Sequence, residues 1–348
     1  MFYSNHDLCD QIRPEAIVFL VQLIPFFLIP IPEILQYVRI TEQKSTKGIS
    51  PTAVLLRFLF CTVNFGNALT IPYTFAAAEC CQKSESGIAS CALNMLVVVH
   101  AGFLWLCNAI STIVFLFYYK DPKPRLVSSA SGDIRISAGT KLYPPWTPDH
   151  SLISTVCLVS SITIIPISLF YIIPLSATTD SYWYTLEGWS FGLNISAAAL
   201  AFVQGLPQAT LTGRILLRQR QTGHEAGFKD DNSTMKKLEF LYLSTNSLKW
   251  FVLAGVWTTW FGGRLYANIN FYLPVLWIVG AQVYLNYLIV AVEDAILAWV
   301  FWFQGTSGSK KPVEANQADT PNERTPLLPG GIRWHDDGGE QWDSGTAT

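Results

Sequence analysis

What this chain has least of is charge. Only 14% of its 348 residues are Asp, Glu, Lys or Arg, against roughly a quarter in soluble domains, which argues against a conventional soluble surface. A formal net charge of −2 leaves no basic face for nucleic acid, so none is expected as a partner. The five histidines are scattered, the seven cysteines have no metal-ligand spacing, and no glycine-rich phosphate loop precedes a basic residue. No metal, no cofactor and no catalytic set is therefore expected, and the chain reads as a non-enzyme. A cleavable leader is not expected either, because His6, Asp7 and Asp10 stand where a basic stretch and a short apolar run would be needed.

What the chain has in abundance is apolar sequence, half of all residues. A helix needs about 20 such residues to cross a hydrocarbon layer near 30 Å thick. Seven runs reach that length: residues 16–38, 52–76, 92–118, 151–177, 188–209, 238–262 and 271–303. Backbone in lipid must satisfy its own hydrogen bonds, and barrel strands would alternate over about ten residues, so the runs are read as helices. The expected fold is an all-α membrane protein with seven transmembrane helices.

Cytoplasmic loops carry the excess of Lys and Arg. Nineteen lie on one side: Arg39 to Arg57, Lys120 to Lys141, Arg214 to Lys237, and Lys310 to Arg333; only Arg13, Lys83 and Arg264 lie on the other, with Lys249 inside the sixth run. The N-terminal 1–15 is accordingly expected in the lumen or exterior and the C-terminus in the cytosol. Cys9, Cys80, Cys81 and Cys91 fall in or beside non-cytosolic segments, and Cys61, Cys107 and Cys157 within helices. Two readings of the first four stand, pairing in an oxidising compartment or no bond at all. The sequon at Asn232 falls in an expected cytosolic loop and is expected to stay unmodified, and that at Asn194 lies within the fifth run.

The stretch 119–150 is rich in Ser, Gly and Pro and reads as a cytosolic linker. It separates a first trio of helices, 16–118, from a bridging fourth helix, 151–177, and a second trio, 188–303. The tail 304–348 carries Pro, Gly and charge and is read as disordered. A faint repeat links the trios: "NFGN", with Asn64 and Asn67, corresponds to "NSLK", with Asn246 and Lys249, at the same i, i+3 spacing. Asn108 and Asn286 also lie at similar depths in their runs. The pattern suggests two parallel three-helix bundles joined by helix 4.

The stretch "FVQGLPQATLTGRILLRQRQ", residues 202–221, passes from apolar sequence through Pro207 and Gln208 to Arg214, Arg218 and Arg220. Proline removes an amide donor and frees carbonyls, so the pair marks either a hinge whose Gln208 amide bonds exposed backbone or a plain helix end. In the first trio the corresponding stretch is "IPEILQYVRITEQKSTKGIS", residues 31–50. Pro-Gln followed about eight residues later by Lys-Ser-x-x-Gly-(Leu/Ile)-Ser resembles the PQ-loop repeat family, relatives of the lysosomal cystine carrier and vacuolar basic amino-acid carriers. Lys44, Ser45, Gly48, Ile49 and Ser50 match in order, with Leu35 and Gln36 at the Pro-Gln position and Pro32 one turn earlier. The second trio keeps Pro207 and Gln208 but has an insertion ending "DDNSTMKK" in place of the Lys-Ser stretch. The resemblance implies a vacuolar or lysosomal carrier of a small polar solute, an amino acid, working by alternating access about hinges at Leu35–Gln36 and Pro207–Gln208.

Lys249 lies near the middle of its run, where an uncompensated charge costs about 2.5–3.5 kcal/mol. Glu293 and Asp294 are its expected partners if the seventh helix starts near 275, and ordinary interfacial acids if it starts near 270. A carboxylate held there can take up a proton on one side and release it on the other, which makes protons an expected partner. Asn64, Asn67, Asn246 and Asn286 either line a path for the solute or simply bond helix to helix, a contact worth about 0.6 kcal/mol. His100, Glu33 and Gln204 are weaker candidates. In the tail, "ERTPLL" sets Glu323 ahead of Leu327 and Leu328, which resembles an acidic dileucine sorting signal read by a cytosolic adaptor. Two other classes share these features: a seven-helix receptor, and a non-transporting regulator of lipid or trafficking machinery.

Overall fold

The computed structural model describes residues 16–46, 48–70, 95–119, 148–172, 180–222, 232–268 and 273–307, and its elements are all helices. They are α1 (Ala16–Leu28), α2 (Pro30–Gln43), α3 (Pro51–Thr70), α4 (Leu96–Tyr118), α5 (His150–Ile172), α6 (Asp180–Val203), α7 (Gly205–Thr222), α8 (Asn232–Asn268) and α9 (Leu273–Ser307). Cys9, Cys80, Cys81 and Cys91, the 1–15 segment, most of the 119–150 stretch and the tail with Glu323, Leu327 and Leu328 lie outside the described residues.

Two of the long apolar runs are broken, and proline explains both breaks. Between α1 and α2 the hydrogen-bond ladder is interrupted at Ile29, which keeps helical dihedrals (φ −57°, ψ −47°) and whose amide still bonds the Pro25 carbonyl at 2.8 Å. Pro30 and Pro32 follow and have no amide to continue the ladder, so α2 starts afresh with proline in its first turn, where a donor is not needed. Between α6 and α7 the turn is at Gln204, and Pro207 sits in the first turn of α7. This interruption lies three residues before Pro207. In the first trio the expected hinge is displaced: Leu35 and Gln36 lie within α2, six residues beyond the break at Ile29, because the prolines rather than the Leu-Gln pair interrupt the ladder.

Among the described residues, six spans are long and apolar enough to cross a membrane: Leu20–Gln43, Pro51–Thr70, Val98–Tyr118, His150–Phe170, Gly188–Arg214 and Val283–Phe303. The distribution of side chains agrees with this. Exposed positions include Leu152, Leu158, Ile162 and Phe170 on α5 and Phe117 on α4, while Glu33, Asn67, Asn194, Lys249 and Asp294 are buried. Large apolar groups outside and polar groups inside reverse the soluble pattern. The chain is a multi-pass all-α membrane protein.

One expected boundary shifts: the first span continues to Gln43 instead of ending at 38, so Arg39 belongs to a helix, and Arg57, counted with the loop charges although inside the second run, lies in α3. Hydropathy alone ends a span at the first charge, whereas here partners inside the protein hold those charges. The insertion before the sixth run also becomes helical from Asn232 onward.

The α1–α2 pair packs on α4 and α8; α3 packs on α4, α5, α6 and α7; α9 packs on α6, α7 and most extensively on α8. α5 leans on α3, where Gly66 lets the two helices touch: a Cβ there would meet Ile164 Cγ2 at 2.6 Å and Ser168 Oγ at 3.0 Å. Gly66→Leu should overpack this contact at a cost of about 1–3 kcal/mol and lower the thermal midpoint of the detergent-solubilised protein. Gly192→Ala, where a Cβ meets nothing within 4 Å, should leave the midpoint unchanged or slightly raise it. Equal midpoints for the two variants would show that the α3–α5 contact is not tight.

Candidate functional site: a charged cavity between the helices

The site begins at the short turn between α2 and α3. Lys44 ends α2 in the left-handed conformation (φ 47°), and its amide bonds the Thr41 carbonyl. Gly48 follows at φ 88°, and a Cβ there would lie 2.9 Å from Arg39 Nη2, so glycine is required by both backbone and space. Ser50 then accepts the Ala53 amide at 3.4 Å on its hydroxyl, ahead of Pro51 at the first helical position. The Lys-Ser-x-x-Gly-Ile-Ser stretch is thus a helix stop, a glycine turn and a helix start. Gln208 reaches this turn from α7: its Oε1 accepts the Ser50 amide at 3.0 Å, and its Nε2 donates to the Gly48 carbonyl at 2.9 Å. The Gln208 side chain from α7 therefore holds the turn between α2 and α3 by both ends of its carboxamide.

Below the turn, α2, α3, α4, α7, α8 and α9 enclose a cavity of about 60 Å³, room for a few waters at about 10–15 Å³ each. Arg39 and Glu239 stand at the end nearest the turn, paired at 3.2 Å. Further in, Arg57 Nη2 lies 3.2 Å from Asp294 Oδ1, Arg57 Nη1 donates to the Tyr242 hydroxyl, and Asn246 donates to Asp294 Oδ2. Deeper still, Lys249 Nζ donates to Glu33 Oε1 at 3.1 Å, and the Ser111 hydroxyl donates to Glu33 Oε2 at 2.7 Å. Lys249 is 0% exposed, and its ammonium also lies 4.5 Å from the centre of the Trp250 ring, so the carboxylate and the ring face together make its charge tolerable.

Beyond Arg57 along α3, aromatic rings close the interior. Phe60 meets Trp250 edge-on at 5.7 Å and Tyr287 at 6.2 Å, Trp250 stacks on Tyr287 at 5.6 Å, and Trp257 lies 6.2 Å from Tyr287. All four rings are buried. Charges therefore line one part of the interior and rings the next.

Each of the three ion pairs joins the first trio to the second: α2 to α8 twice and α3 to α9 once. Polar contacts bridge the trios elsewhere too. Asn67 Nδ2 donates to Asn194 Oδ1 at 2.7 Å, and the Ser190 hydroxyl donates to Asn67 Oδ1 at 3.2 Å. Asn67 and the Asn194 of the sequon thus form an interhelical contact. Asn64 bonds back to the Phe60 carbonyl at 2.9 Å, and Asn286 is buried.

Of the residues singled out by sequence, Gln36, Asn108, Gln208 and Asp294 line the cavity, as do the weaker candidates Glu33 and Gln204; Asn64, Asn67, Asn246, Lys249 and Asn286 are not among its lining residues. Lys249 pairs with Glu33 instead of a helix 9 acid, because Asp294 is taken up by Arg57 and Asn246. Glu293 points elsewhere. Its carboxylate lies so close to Gly205 that a Cβ there would meet Oε2 at 2.5 Å, and among the described residues that oxygen lacks a hydrogen-bond partner.

Arg39, Arg57, Glu239 and Tyr242 were not among the sequence candidates, and Glu33 was a weak one. The usable signal was Glu33 itself, an ionisable residue inside an apolar run, which by default has a function and a partner. No family model matches the chain, and no curated protein or solved structure matches it either. What the chain does must be argued from the cavity.

Proposed function

We propose that the chain is a membrane carrier that moves a small polar solute, an amino acid, by alternating access between two three-helix units. The observation that carries this reading is the set of three ion pairs at a polar cavity among the described residues, one fully buried and two partly buried, each with one partner in each unit. Pairs that merely held a fold together would gain little over apolar packing. Pairs that come apart when two units separate give discrete closed and open arrangements, which alternating access needs.

The packing supports a duplicated unit. If α1–α2, α3 and α4 are exchanged with α6–α7, α8 and α9, the main contacts map onto one another: α1–α2 with α4 becomes α6–α7 with α9, α3 with α4 becomes α8 with α9, and α1–α2 with α8 becomes α6–α7 with α3. On this reading α8 is the seventh span and α5 bridges two parallel units. The breaks at Ile29 and Gln204 fall in the two helices that correspond, and serve as the bending points.

Glu293 is the proton site on this reading, with Asp294 held as an ion-pair partner of Arg57. A carboxylate wedged against Gly205 touches the α6–α7 break directly, so its charge state acts on the bend. The vacuolar or lysosomal membrane, the cytosolic C-terminus and an adaptor reading Glu323, Leu327 and Leu328 complete the proposal; the Lys and Arg asymmetry supports the orientation.

Purified protein in vesicles with an imposed pH gradient tests this with a panel of amino acids. Wild type should accumulate at least one of them. Glu293→Gln should lose most of the gradient-driven accumulation yet keep exchange of solute across a pH-matched membrane, and Pro207→Leu should slow both. Absence of flux for every amino acid would remove the carrier reading.

A further inference from the structure

Gln204 is the residue at the α6–α7 break, and it is 4% exposed and lines the cavity. Among the described residues, neither its Oε1 nor its Nε2 has a hydrogen-bond partner. A buried carboxamide with both ends unsatisfied is costly to a fold and needs a reason. The backbone gives none, since the Gln204 amide bonds the Leu200 carbonyl at 3.0 Å as in any helix. The free groups belong to the side chain alone.

The charges around the cavity point to what those groups meet. Glu33, Glu239 and Asp294 are acidic, and Arg39 and Arg57 are basic. With Lys249 behind Glu33, every one of them stands in an ion pair. Glu293, the neighbouring acid, lies against Gly205 and is not among the lining residues. A cation or anion entering this space would be an uncompensated charge inside the membrane, or would have to break a pair. A zwitterionic amino acid brings one charge of each sign, so it can insert beside an existing ion pair without adding net charge, and its polar side chain then needs only hydrogen bonds.

We infer that Gln204 is a solute-recognition residue, and that the solute is a small net-neutral polar amino acid whose neighbouring donor and acceptor pair with Gln204 Oε1 and Nε2. This rests on the carrier reading for its site but adds what that reading leaves open, the charge class of the cargo. Lysine and arginine are excluded by the balanced charges, although the family resemblance alone would allow them.

The test uses the purified full-length protein in detergent and reads its thermal midpoint with millimolar L-glutamine, L-asparagine, L-lysine, L-arginine or L-glutamate. L-glutamine or L-asparagine should raise the wild-type midpoint, and the three charged amino acids should not. Gln204→Leu should need about tenfold more of the same solute for an equal shift, the loss of roughly one buried hydrogen bond. Its midpoint without solute should equal or exceed that of wild type, because an unpartnered polar group has been replaced by an apolar one. Gln204→Glu should gain a response to L-lysine.

A lower solute-free midpoint for Gln204→Leu would make Gln204 structural and overturn the inference. So would a wild-type response to L-lysine as large as to L-glutamine, or no response to either net-neutral probe. Vesicle flux separates this inference from the carrier reading. Gln204-dependent binding of L-glutamine or L-asparagine without flux keeps the inference and removes the carrier; flux of L-lysine unaffected by Gln204→Leu keeps the carrier and removes the inference.

Discussion

Lys249→Met should lower the thermal midpoint of the purified protein sharply, and adding Glu33→Gln should restore most of the loss. The single change leaves the Glu33 carboxylate buried among α2, α4 and α8 with the Ser111 hydroxyl but without its cation. Breaking one side of a buried pair costs about 3–5 kcal/mol, whereas removing both sides is close to neutral. The double variant, with Gln in place of Glu33, still accepts a bond from Ser111 and carries no charge to desolvate. It should therefore fold well and still fail to move solute if the pair is one of the contacts that must open and close. Equal midpoints for the single and double variants would mean that Glu33 does not depend on Lys249.

A second large effect is expected at Arg57, which holds α3 to two helices at once through Asp294 on α9 and Tyr242 on α8. Arg57→Leu strands Asp294, leaving it the Asn246 amide alone, and should cost about 3–5 kcal/mol for the same reason. Arg57→Lys keeps the charge but not the planar fork, so one ammonium must choose between the carboxylate and the phenol. It should recover part of the stability and much less of the flux. A cycle combining Arg57→Leu with Asp294→Leu measures the coupling directly: an interaction energy near zero would show that the two side chains do not act as a pair.

Several features were legible in the sequence because they are local. The apolar runs marked the membrane, and Pro207 stands next to the interruption between α6 and α7; Gly48 and Ser50, matched in sequence only through the resemblance, form a glycine turn and a helix start that the pattern alone did not describe. Lys249 also announced itself, being charged in the middle of an apolar run. Its partner did not. Glu33 is 216 positions away, and no pattern along the chain encodes a contact between α2 and α8.

The same limit explains Arg39 and Arg57. Counted along the sequence they stand with the loop charges; in three dimensions Glu239 and Asp294 hold them inside. Glu293 and Asp294 are neighbours that sequence cannot tell apart. Helical geometry turns successive residues to different directions, so one meets Arg57 and the other meets Gly205.

The interior has two unlike seals, and they answer to different variables. Separating charged side chains on the Arg39 side is governed by hydration of ions, so ionic strength and acidity should set how readily that side yields. Parting Phe60, Trp250, Tyr287 and Trp257 wets apolar area, a step marked by a positive heat-capacity change and little salt dependence. If the chain works as the carrier proposed above, warming should ease the aromatic part more than the charged part, and salt the charged part more than the aromatic one.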